Sequence, residues 1–105
     1  MANNLKINVP DGFKISKNVL TDYDPQSNYT EDNNLFYLQE DLFQATNEST
    51  GITIDVGWYG DLNSNDGSFK IFVIENCNWD KPIVVRESKS IKEIHKLLIK
   101  EINQR

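Results

Sequence analysis

Two apolar runs in the middle of the chain limit its fold more than any other feature. In the first, Ile52, Ile54, Val56 and Trp58 alternate with Thr53, Asp55, Gly57 and Tyr59. A period of two sends successive side chains to opposite faces of a β-strand. The second, Phe69-Lys70-Ile71-Phe72-Val73-Ile74, is apolar on both faces after Lys70. Gly60 to Ser68 forms a polar loop between them. A strand apolar on both sides needs cover on both sides. The expected cover for its second face is the chain around Val19, Leu20 and Tyr23, or a partner.

The flanking segments extend this sheet. Leu42-Phe43-Gln44-Ala45-Thr46, followed by Asn47 to Gly51, reads as a strand from about Asp41 entering a hairpin loop. Leu35, Leu38 and Leu42 also stand at helical spacing, with Thr30 as a cap, so residues 35–46 carry both signals and the strand is preferred. Pro82-Ile83-Val84-Val85-Arg86 is a further strand, with Pro82 at its start where a missing N–H costs least. Leu5, Ile7 and Val9, then Phe13 and Ile15 after Pro10-Asp11-Gly12, read as a short two-stranded beginning. Residues 21–34 are a polar loop.

The C-terminal segment has the clearest local signature. Ser90-Ile91-Lys92-Glu93 fits a capping box, and Ile91, Ile94, Leu98 and Ile102 form one helical stripe. His95 lies near that stripe as a core or boundary histidine. The expected architecture for residues 1–105 is one α+β domain, an antiparallel β-meander with a C-terminal helix packed on one face. Trp58 and Trp79 are expected in its core, where large aromatics contribute most.

Charge narrows the partner. No lysine or arginine occurs between Lys17 and Lys70, while that stretch holds ten carboxylates. Small positive excesses on either side bring the net charge to −5. Such a field repels nucleic acid and anionic membranes and attracts a basic protein. No window approaches the apolar length of a membrane span. The first residues lack a signal-peptide run and Cys77 is the single cysteine, so a cytoplasmic location is expected.

Catalytic and metal motifs are weak. Asp61-Leu62-Asn63-Ser64-Asn65-Asp66-Gly67 resembles a calcium loop only in composition: its sixth position is Asp66 and its twelfth Phe72, where glycine and glutamate are needed. A polar turn explains it better. Cys77 has no cationic neighbours in sequence, and a single histidine gives no metal spacing. Asp55 is the carboxylate of most interest, because a strand-interior aspartate is either hydrogen-bonded or raised in pKa. No cofactor, metal or catalytic group is expected.

Gly51 to Asp61, Gly67 to Ile74 and Trp79-Asp80-Lys81-Pro82 together resemble small bacterial immunity proteins that protect against polymorphic toxins, notably those of contact-dependent growth inhibition systems. The shared pattern is an Asp-Val-Gly-Trp-Tyr strand, a polar loop, an apolar strand and a tryptophan before a proline, over roughly residues 40–87. Gly60 departs from it, standing where proline is more usual. The resemblance implies a non-enzymatic cytoplasmic protein that binds and occludes one cognate toxin domain.

Many such toxins are nucleases, whose cationic clefts suit an acidic occupant. The expected contacts are Asp22, Asp24, Glu31, Asp32, Asp61 and Asp66, with Tyr23, Tyr29 and Tyr59 as aromatic anchors. No direct nucleic-acid or membrane contact is expected. Two alternatives stand beside this reading: a small hydrolase or ligand-binding domain using Asp55 and loop carboxylates, or a regulatory subunit of a larger enzyme.

Overall fold

The computed structural model describes residues 2–26, 31–60 and 67–105. Five strands and two helices follow in the order β1 (Phe13–Asn18), α1 (Glu31–Tyr37), β2 (Phe43–Asn47), β3 (Ile52–Tyr59), β4 (Ser68–Glu75), β5 (Val84–Ser88) and α2 (Ile91–Asn103). The strands form one antiparallel sheet in the order β1-β2-β3-β4-β5. This is an α+β meander with α2 against it.

Register assigns each side chain to a face. Ile54 lies opposite Ala45 and Val73, and Val56 opposite Phe43 and Ile71. These residues are fully buried, as are Ile94, Leu98 and Ile102 of α2. Helix and sheet thus close one core between two layers, with Trp58 and Phe69 meeting edge-to-face at 5.0 Å. The thinnest dimension, 19 Å, accommodates a sheet and one helical layer but not a third.

Local chemistry sets the element ends. In the β2–β3 hairpin the Asn47 Oδ1 accepts from the Ser49 and Thr50 N–H groups, and Gly51 takes the left-handed φ of +75° that closes the turn. Ser90 caps α2 by accepting from the Glu93 N–H. The capping box is only half used, because the Ser90 N–H donates to Ser88 Oγ. Ser16 is the extra residue of a bulge in β1, where the pairing jumps from Ile15 to Lys17. Such bulges blunt an edge strand against unwanted pairing.

Several expectations need correction. Leu5, Ile7 and Val9 form no strand, although Ile7 is buried; an isolated bridge, Asn4 to Thr21, and single bonds such as the Leu5 N–H to Leu20 O at 2.8 Å tie this segment to its neighbours. Burial against a core requires no ladder. The expected loop over 21–34 already contains the start of α1 and the buried residues Tyr23, Pro25 and Asn34. Residues 35–46 divide between both signals: helix through Tyr37, strand from Phe43. The Thr30 cap lies outside the described residues. β5 begins at Val84, two residues after Pro82, because Ile83 makes a single bond to Val73 before regular pairing starts. Trp79 is half exposed rather than in the core, since it falls in the connection after β4 rather than on the sheet.

Candidate functional site: the open face of the sheet

The second face of the sheet carries Gln44 and Thr46 from β2, Thr53, Asp55, Gly57 and Tyr59 from β3, and Lys70, Phe72 and Ile74 from β4. Val85 and Glu87 complete it on β5. Leu20 and Tyr23, expected to cover this face, instead join the helix-side core, and Val19 is exposed. Their apolar surface is spent on α2's side. No helix or strand among the described residues is stacked over the opposite side.

That side of the sheet is divided in character. Ile83 and Val85 are 46% and 47% exposed, and Phe72 beside Val85 is partly so. Tyr59 meets Phe72 edge-to-face at 5.4 Å. These residues form an apolar strip over β4, β5 and the end of β3. Ile74, fully buried on the same side, belongs to no part of the helix-side cluster.

The neighbouring corner is acidic. Gln39 to Leu42 extend β2 irregularly along β3: the Trp58 N–H donates to Gln39 O at 2.7 Å, and the Leu42 N–H to Val56 O at 3.0 Å. Between those bonds the chain arches over Gly57, carrying Glu40 and Asp41 to the open side. Tyr59 Oη donates weakly to the Glu40 carbonyl at 3.4 Å. Asp55, 7% exposed, lies between Gln44 and Phe72 in register. Burial first, then the charge of Asp41, pushes its carboxyl up to about 6, against a smaller opposing effect of the Gln44 hydrogen bond. Burial also raises the Tyr59 phenol, helped by Asp55, Glu40 and Asp41.

Cations near this corner are already matched. Lys17 pairs with Asp41 at 2.9 Å and Lys70 with Glu87 at 3.8 Å. Neither Asp55 nor Glu40 has an ion pair among the described residues. Asp55 is therefore a shielded carboxylate beside a like charge, with one amide to hold it. Its arrangement favours either a proton or an incoming cation.

Of the nine sequence-expected contact residues, four have described side chains. Among these Tyr59 alone is placed on the open face, while Asp22, Tyr23 and Asp24 lie on the helix side. Asp22 and Asp24 border a cavity of about 230 Å³ with Leu5, Ile91, Lys92 and His95, on the helix side. Asp22 is tied to the backbone N–H of Asn3, and Asp24 to that of Gln26. Tyr23 is buried: it stacks on Tyr37 at 4.8 Å and donates its hydroxyl proton to Asn34 Oδ1. It is a core residue, not an exposed anchor. Glu31 and Asp32 open α1, while their side chains, with Tyr29, Asp61 and Asp66, lie outside the described residues.

Sequence reasoning missed Glu40, Asp41, Phe72, Ile83 and Val85 as neighbours on one surface. Their signal was the doubly apolar β4, which left a face to cover. Among the described residues no group of three or more histidine, cysteine or acidic side chains is placed to hold a metal ion. No helix is long and apolar enough to cross a membrane among them. Comparison with family models, curated proteins and solved structures finds no match.

Proposed function

We propose that the chain is an immunity-type protein that binds a basic toxin domain, with a nuclease the favoured class, and neutralises it by covering its active surface. The observation that carries the reading is the open sheet face, whose apolar strip adjoins unmatched carboxylates. A strip of exposed aromatic and aliphatic side chains supplies burial on association, and the acidic surroundings supply steering toward a cationic cleft. The absence of lysine and arginine between Lys17 and Lys70 supports the same polarity. In this mechanism the chain does no chemistry. It works in the cytoplasm and excludes substrate by occupying the cleft.

The test is capture followed by a growth assay. The tagged full chain is incubated at low salt with the contents of its native cells and washed with high salt, and the released proteins are identified. A basic protein whose expression alone arrests growth, and whose co-expression with this chain restores it, carries the proposal. Released proteins that leave growth unaffected, or whose toxicity the chain does not relieve, contradict it.

One observation favours a different class. The raised carboxyl of Asp55 suits a general acid or base. A hydrolase reading requires an activity of the chain alone, with a bell-shaped pH profile that Asp55→Asn abolishes.

A further inference from the structure

The immunity reading rests on the open face and leaves open whether another surface serves better and what the partner must present. Three regions compete. The helix-side cavity bordered by Asp22, Asp24 and His95 has its carboxylates engaged by backbone N–H groups. A groove of about 430 Å³ beside Val19, Phe36 and Leu42 has one cation, Lys17, already paired with Asp41. The open sheet face alone combines exposed apolar side chains with carboxylates lacking an ion pair among the described residues.

We infer that the open face of the sheet is the docking surface, and that it receives a basic protein segment presenting an arginine flanked by apolar side chains. The proposal rests on the toxin-binding reading for its biology, but not for its chemistry. The arginine lies against the Tyr59 ring and reaches Asp55 and Glu40, while its apolar neighbours cover Phe72, Val85 and Ile83.

Charge complementarity selects this occupant. Asp55 is shielded from water yet sits near Asp41, whose own cation, Lys17, is engaged on the β1 side. An arriving guanidinium relieves that repulsion and replaces lost hydration with charge-assisted hydrogen bonds. Arginine fits better than lysine because its planar group stacks on an aromatic ring while still donating to carboxylates. An anionic partner would meet Asp55, Glu40 and Asp41 directly. A purely apolar one would bury Asp55 and Glu40 with no opposite charge, a desolvation cost that it does nothing to offset.

The backbone arch supports the same geometry. Gly57 allows the Glu40 carbonyl to lie flat on β3, and Tyr59 is held beside it by the hydroxyl bond. The aromatic ring, packed edge-to-face on Phe72, and the acidic corner thus stand side by side before any partner arrives. Preorganisation of this kind lowers the entropic cost of binding.

The experiment is an NMR titration of the isotope-labelled full chain with two capped peptides, Gly-Leu-Arg-Leu-Gly and Gly-Leu-Gln-Leu-Gly. The arginine peptide is expected to shift the amides of Asp55, Tyr59, Phe72 and Val85 saturably, and to bind about tenfold more tightly than the glutamine peptide. Asp55→Asn, which keeps the side-chain shape, should shrink that difference to the share that Glu40 supplies. Val85→Lys, at an exposed site, should weaken both peptides while leaving the fold's spectrum intact. Equal affinity for the two peptides, saturable shifts on α2 or near Asp22 instead, or no saturable shift, would overturn the assignment. The toxin reading is judged separately by capture and growth, so either can fail without the other.

Discussion

The backbone carbonyl of Glu40 occupies the space into which a side chain on Gly57 would project. This close approach, flanked by the Trp58–Gln39 and Leu42–Val56 backbone bonds, brings Glu40 and Asp41 over the open face. A methyl group at residue 57 meets backbone, which cannot swing aside as a flexible side chain would.

Gly57→Ala is accordingly expected to destabilise the fold by about 1–3 kcal/mol, the usual range for forced overpacking. For a domain of this size that corresponds to a fall in Tm of at least about 4 °C. Thermal denaturation followed by circular dichroism checks it. An unchanged Tm would mean that the arch does not lie on Gly57.

Asp55 sets a pH dependence of definite sign. Its carboxyl is raised from 3.8 to about 6 in the fold, so between those values the folded chain binds more protons than the unfolded one. Stability therefore falls as pH rises through this window, and the penalty is complete above about 6. Asp55→Asn should stabilise the protein at pH 7.5 by about 1 kcal/mol, a value reduced for solvent screening at the sheet face. The gain should vanish near pH 4. Urea titrations at both pH values test the sign; a variant less stable at pH 7.5 would contradict it.

Glu101 is buried at the far end of α2, 2% exposed, with Arg105 at 3.1 Å and Arg86 of β5 at 3.9 Å. Removing Arg105 leaves this carboxylate with the longer and more exposed partner. Arg105→Ala is expected to cost about 2–3 kcal/mol, somewhat below the loss for a fully buried pair because Arg86 remains. Denaturant unfolding measures it, and Glu101→Leu should cost less than Glu101→Ala because it refills the space.

The Ser90 cap separates two superficially equivalent substitutions. Ser90→Ala removes the acceptor for the Glu93 N–H and should cost about 1 kcal/mol. Glu93→Ala should cost less, because Ser88 already receives the Ser90 N–H. Equal losses in a thermal scan would restore the full capping box.

Legibility in the sequence followed periodicity. The strict alternation from Ile52 to Trp58 and the stripe from Ile91 to Ile102 read directly as β3 and α2, because each buries a regular face. The N-terminal residues defeated that approach: Ile7 is buried without a ladder, so alternation was present without a strand. Asp55 was singled out from its strand position alone. Its neighbours Glu40 and Asp41 were not, because the arch over Gly57 depends on a backbone irregularity with no sequence period. Tyr23 was read both as cover for the sheet and as an exposed anchor; it is buried, but its polar surroundings in sequence gave no sign that it would stack on Tyr37.

The most direct measurement is an inhibition titration. The basic protein released by salt from the tagged chain is assayed for its own activity, nucleic-acid cleavage first, as purified chain is added back. Neutralisation requires that activity fall to background at about one equivalent, with Val85→Lys needing at least about tenfold more. Activity that persists at a large excess of the intact chain contradicts toxin neutralisation, and recovery of a metabolic enzyme whose rate the chain adjusts would replace it with a regulatory role.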